Sequence, residues 1–278
     1  MLGKLFVSEI KQTYKPMAIT GAVLVLSTLL ANLESNIMKW MNVASDNILG
    51  SIITGMMNML FVFSVIAVLI VGFVFLIIGF YKSMYSERGY LTHTLPVSSV
   101  TTFNVKLLVA VLWMAAAAVV IVSCFLFRAL NITGESLGEF IGRLQMIFRI
   151  TDPEFKGILF IGKSLGGTVV RFSILGLLGI LGSFLFYFTA ITIGQLSNEH
   201  KVGCAIGAGV VLYMIQQMLG FVVMIVCFIG YLAKDAVITN EIAILNRGAI
   251  ATIIVYTLFM AVQYVVDLYI VKNRLNLQ

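Results

Sequence analysis

The chain has 278 residues, 60% of them hydrophobic and 11% charged, with a formal net charge of +6. Soluble domains lie near about 45–50% apolar and about 25% charged, so a water-soluble fold of this length is excluded and the solvent is lipid. The basic residues are scattered, with no patch interleaved with aromatics, which argues against a nucleic-acid surface.

Segment 1–16 carries Leu2, Leu5, Phe6 and Ile10 on one helical side and Lys4, Lys11 and Lys15 largely elsewhere. This predicts an N-terminal helix lying in the membrane interface. The first apolar run, 17–33, ends in NLESN without a small-residue cleavage site, and reads as a retained anchor. Five more runs are long enough to cross a bilayer, at about 53–81, 107–130, 168–193, 202–231 and 249–271. Backbone groups in lipid must be satisfied within the segment, so the runs are helices. The predicted fold is an all-α integral membrane protein with six transmembrane helices, a single domain over 1–278.

Lys4, Lys11 and Lys15 precede the first span and only Lys39 separates it from the second. Positive residues stay inside, so both termini are expected in the cytoplasm. Over the whole chain nine basic residues then lie inside and nine outside, and the orientation rests on the first helix and the short loops. Segment 137–150, LGEFIGRLQMIFRI, has apolar residues at 137, 140, 141, 144, 147 and 148, which predicts a second amphipathic helix, on the outer face.

The stretch GILFIGKS, 157–164, matches the GxxxxGK[ST] pattern of phosphate-binding loops. A working loop follows a buried strand and opens a soluble helix. Here TDPEFK precedes the match and an apolar span follows it. The glycines Gly162, Gly166 and Gly167 are better read as a bend where the chain re-enters the membrane.

The most distinctive stretch is 81–106, YKSMYSERGYLTHTLPVSSVTTFNVK, between the second and third spans. A basic, aromatic and acidic cluster leads to Gly89, then an apolar, Thr-rich strip ends at Leu95-Pro96. Ser98 or Ser99 can cap the next helix. The run Glu87-Arg88-Gly89-Tyr90-Leu91-Thr92-His93-Thr94-Leu95-Pro96-Val97-Ser98-Ser99, with Lys106 at the start of the third span, resembles the segment E-x-G-Y/T-L-x-x-x-L-P-V-S-x of the six-span permease subunits of type-2 ABC transporters. The likeness extends to the layout of the whole chain, apart from a long 131–167 outer loop and a short last outer connection.

This resemblance implies that ATP and Mg are handled by separate ATPase subunits, so that this chain is no enzyme and carries no cofactor or catalytic residue of its own. It implies a half translocation path that pairs with a second permease copy or a similar permease in the cell membrane, and export of a hydrophobic or amphipathic substrate such as a peptide, lipid or drug. The 82–98 loop becomes a cytoplasmic coupling helix contacting the ATPase, with Tyr85, Glu87, Arg88, Gly89, Tyr90, Leu91, Leu95 and Pro96 in the contact. The short turn GQLSNEHK, with Glu199 and His200, is a second contact or a plain tight turn.

Within the spans, Gln216 and Gln217 either line the translocation path or bond neighbouring helices, and Asn58 is read as a packing hydrogen bond. Asp267 is expected to reach Lys272 or the interface. Gly203, Gly207, Ala205 and Gly209 in the fifth span, and Gly176, Gly179, Gly182 and Ser183 in the fourth, are expected at close helix contacts. Cys124, Cys204 and Cys227 lie in apolar runs, and with two histidines they make no metal set. Two other readings fit the composition: an ATP-independent immunity or sensor protein that binds a peptide, and a secondary carrier, which scarce central acids and the lack of a repeat disfavour.

Overall fold

The computed structural model describes residues 2–41, 48–86, 97–150, 165–197, 199–232 and 241–273. These form seven α-helices, with no strand among the described residues: α1 (Leu2–Trp40), α2 (Ile48–Met84), α3 (Ser99–Thr133), α4 (Leu137–Ile150), α5 (Leu165–Gly194), α6 (Lys201–Leu232) and α7 (Glu241–Asn273). All except α4 are long and apolar enough to cross a membrane, which gives the expected six spans. The protein has the architecture of a multi-pass membrane protein. The expected amphipathic helix appears as α4 with the predicted bounds.

The helices outrun the hydrocarbon. A span needs about 20 residues, whereas α1 has 39 and runs without a break through Pro16. The sequence predicts an interfacial helix over 1–16 and a span from 17, and the structure joins both segments in one helix. Pro16 lacks one backbone donor, a loss that a transmembrane helix tolerates.

The helix ends follow local chemistry. The Thr101 amide donates to Ser98 Oγ at 3.2 Å, so Ser98 is the cap of α3. Gly134 has φ +69° and its amide donates to the Leu130 carbonyl at 2.9 Å, which closes the other end. Ser136 and Glu139 then open α4 reciprocally. The Ser136 amide donates to Glu139 Oε2 at 2.8 Å, and the Glu139 amide to Ser136 Oγ at 3.3 Å.

Two compact units make up the chain. The first comprises 1–80 and 108–142, and the second 81–107 and 143–278. Leu24, Phe61, Val68 and Cys124 form the core of the first unit, with Phe61 edge-on to Phe125 at 5.1 Å. The Ser27 and Ser64 hydroxyls join α1 to α2 at 2.6 Å. The second unit is built on Phe103, Phe184 and Phe188, all fully buried, with ring centroids 6.1 Å apart for Phe103–Phe188 and 5.9 Å for Phe184–Phe188.

Small residues seat α5 against its neighbours, on part of the predicted set. A Cβ on Gly194 would lie 2.5 Å from Ala205 Cβ, and one on Gly182 would lie 2.7 Å from Met260 Sδ. Gly209 faces Ala190. A Cβ on Gly176, Gly179 or Gly207 would meet no described atom within 4 Å, and one on Gly203 would only graze His200 Cβ at 3.9 Å. The predicted fifth-span stripes, 203/207 and 205/209, are two residues apart, about 200° around a helix, so only the second can face α5.

Candidate functional site

The loop that the sequence singles out springs from the second unit, together with α5, α6 and α7. Its first flank is Tyr85, one residue past α2. The Tyr85 hydroxyl is 2.9 Å from the Thr192 hydroxyl on the last turn of α5. Its second flank is the start of α3. There Phe103 packs on Phe188 of α5 and on Tyr264 of α7, and Tyr264 donates to Asn104 Oδ1 at 2.9 Å. Both ends of the loop are therefore fastened to the α5–α7 pair.

Between these anchors lies a buried polar seam. Asp267 on α7 is fully buried, and its Oδ2 accepts from Thr189 Oγ1 at 2.8 Å. Thr192 stands beside the same carboxylate, so one threonine sits between Tyr85 and Asp267. Gln195 and Gln263 complete the seam, each buried. Among the described residues, Asp267 Oδ1, Gln195 Oε1 and Gln263 Nε2 find no hydrogen-bond partner. Burial pushes the Tyr85 hydroxyl above its ordinary pKa. The Thr192 bond opposes that shift and the negative Asp267 adds to it. Asp267 thus turns toward α5, whereas the sequence has it reaching Lys272 or the interface. Five residues on, Lys272 lies about 140° around the helix, and it is exposed.

Of the predicted ATPase contacts, Tyr85 stands at the root of the loop, while Glu87, Arg88, Gly89, Tyr90, Leu91, Leu95 and Pro96 lie outside the described residues, as does GILFIGKS. Glu199 and His200 are exposed on the turn between α5 and α6. That turn begins one helical turn after Thr192, so it leaves α5 at the end where Tyr85 is bound. Gln216 hydrogen-bonds to the Tyr256 hydroxyl on α7. Its neighbour Gln217 is exposed.

A second polar group, in the first unit, is one that sequence reasoning misses. Arg128 on α3 is 5% exposed. Its Nη1 donates to Ala31 O, Asn32 Oδ1 and Ser35 Oγ of α1, at 2.5, 3.1 and 2.8 Å. Its Nη2 donates to Asn58 Oδ1 of α2 at 2.6 Å. The buried Glu34, which accepts from Thr54 at 2.6 Å, supplies the opposite charge. Arg128 therefore ties three spans together, and Asn58 is one of its acceptors. Among the described residues no group of three or more His, Cys, Asp or Glu is placed to hold a metal ion.

Comparison with protein-family models, with curated proteins and with solved structures finds no match for this chain.

Proposed function

We propose that this chain is the permease subunit of an ABC transporter of the type-2 class, embedded in the cell membrane with both termini in the cytoplasm. The observation that carries the reading is the fastening of the 81–106 loop: the segment with the family-like pattern is tied at one flank by Tyr85–Thr192 and at the other by Phe103 and Asn104. A push that reaches either flank is delivered to α5 and α7. In this reading Glu87 and Arg88 supply the polar contacts to a separate ATPase that binds ATP and Mg, Tyr90 and Leu91 the apolar ones, and Glu199 and His200 a smaller second contact. The substrate is hydrophobic or amphipathic, and it is exported.

The exposed face of α6 supports a second permease copy as partner. Among the described residues, Leu212 is the one buried residue of its most apolar stretch, and the rest is little covered within the chain. Gly203, Gly207, Val210, Met214, Gln217, Phe221 and Met224 repeat at spacings of three and four, and all are exposed. Gln217 brings an amide to mid-span, where lipid offers it neither donor nor acceptor. An amide both gives and takes hydrogen bonds, so two copies related by a two-fold axis satisfy each other.

The test is co-purification with a soluble ATPase, followed by transport measurements on a Glu87→Ala/Arg88→Ala variant in membranes. The expected result is normal insertion with ATP-driven transport lost. Full transport by the double variant would remove the loop from the mechanism.

A further inference from the structure

The first unit has a partly open cavity of about 200 Å³ between α1, α2 and α3. Met17 and Gly21 of α1, Val68 of α2, and Trp113, Met114 and Ala117 of α3 line it. The polar groups at its wall are already occupied. Trp113 Nε1 donates to Thr13 Oγ1 at 2.8 Å, and the Thr20 hydroxyl to the Met17 carbonyl at 3.0 Å. A water inside would find no partners, and dry apolar cavities of about 150 Å³ take up ligands such as benzene. Whatever enters is hydrocarbon. A Cβ on Gly21 would meet no described atom within 4 Å, and one on Gly72 would lie 3.6 Å from Met17 Sδ and 3.9 Å from Met114 Sδ.

The surroundings select the kind of hydrocarbon. Trp113 points its ring nitrogen at Thr13, toward the N-terminal end of α1, as an indole at the headgroup boundary does. Lys11 and Lys15 are exposed on α1, seven and three residues before Ala18, which also borders the cavity. These spacings put both lysines on the helical face that carries Ala18. An apolar slot with two cations one and two turns beyond it matches a single amphiphile, whose chain enters the slot and whose anionic head meets the lysines.

We infer that this unit carries a binding site for an anionic phospholipid, with an acyl chain in the Met17–Gly21–Trp113 cavity and the phosphate at Lys11 and Lys15. The inference does not depend on the permease reading, and its test needs no ATPase. Trp40 and Trp113 are the two tryptophans of the chain, so a Trp40→Phe protein reports Trp113 fluorescence alone. In vesicles of phosphatidylcholine doped with brominated-chain lipid, brominated phosphatidylglycerol is expected to quench Trp113 at least twofold more than brominated phosphatidylcholine at equal mole fraction. Lys11→Ala/Lys15→Ala erases that difference, and Gly21→Leu, which fills the slot, lowers quenching by both lipids. Equal quenching by the two headgroups overturns the anionic site, and quenching unmoved by Gly21→Leu overturns the cavity as its chain pocket. Native mass spectrometry of the unmutated protein supplies a readout free of folding effects. Retention of phosphatidylglycerol over phosphatidylcholine supports the site, and equal stripping of both refutes it.

Discussion

Arg128 Nη2 lies 2.6 Å from Asn58 Oδ1, across 70 residues of sequence, while the other arm of the same guanidinium holds α1. A planar fork can serve two helices at once, and a lysine ammonium has no such reach. Removing one member of a buried charged cluster leaves the rest uncompensated, at a cost of about 3–5 kcal/mol. Arg128→Met is therefore expected to unfold the first unit in detergent, with Arg128→Lys rescuing little of the loss. Asn58→Ala is milder, and a double-mutant cycle between the two positions should give a coupling of roughly 0.6–1.7 kcal/mol. Unfolding titrations in mixed micelles measure it, and additive effects would contradict the clamp.

The Thr189 hydroxyl faces two acceptors, the Leu185 carbonyl at 2.7 Å and Asp267 Oδ2 at 2.8 Å, with one hydrogen between them. Thr189→Val strips the carboxylate of a donor inside the protein, a loss of about 1–3 kcal/mol. Asp267→Asn keeps an acceptor for Thr189 in a side chain of the same shape, so it should cost under about 1 kcal/mol. Melting temperatures of the two variants test this order, and a larger drop for Asp267→Asn would reverse the argument.

Much of this architecture is legible in residue order because a span requires only a long apolar run, which survives any packing arrangement. The six spans, α4 and the Ser98 cap follow from that and from simple end chemistry. Arg128 is hidden for a physical reason: beside the 131–167 segment it reads as one more basic residue, and its acceptors are brought to it only by helix pairing. Gln216 and Gln217 look alike in sequence, yet a rotation of about 100° sends one to Tyr256 and the other outward. The same geometry divides the glycines, since Gly194, outside the predicted stripes, makes the closest approach. Ser136-x-x-Glu139 is a readable signal, a capping box two residues after a glycine.

Tyr85 yields a prediction with an alkaline signature. Tyr85→Phe loses the Thr192 bond, worth about 0.5–1.5 kcal/mol, and loosens the root of the loop. In the folded protein the hydroxyl holds its proton more tightly than in the unfolded chain. Its contribution is therefore complete below the ordinary phenol value of about 10 and fades as pH rises toward the higher folded value. The stability advantage of the unmutated protein over Tyr85→Phe should shrink above pH of about 10. Denaturant midpoints at several alkaline pH values check it, and a constant difference would mean that the hydroxyl is not buried in solution.

Glu139 gives the opposite sign at the acid end. Its hydrogen bonds from the Ser136 backbone amide and side chain hold the carboxyl below its ordinary value. That support is present above the usual carboxylate range of about 4.3 and is lost as pH falls through the lower folded value. Amide protection at the start of α4 should fall in acid for the unmutated protein. Ser136→Ala should show several-fold weaker protection already at neutral pH. Glu139→Gln should lack the acid step, and hydrogen exchange followed by mass spectrometry resolves all three.

Gly194 offers the sharpest steric test. A methyl group there would stand 2.5 Å from Ala205 Cβ and 2.6 Å from its Cα. Because backbone is among the atoms it meets, a rotamer change cannot relieve the overlap, and α5 and α6 must separate. Overpacking of this kind costs about 1–3 kcal/mol. Gly194→Ala should therefore lower the melting temperature, whereas Gly207→Ala, whose Cβ meets open space, should leave the unit's stability unchanged or slightly raised, since alanine favours the helix by up to about 1 kcal/mol. Ala205→Gly combined with Gly194→Ala removes the clashing methyl but leaves the α6 backbone in the way, so it should restore part of the loss. Complete recovery in that double variant would show that the helices touch through side chains alone.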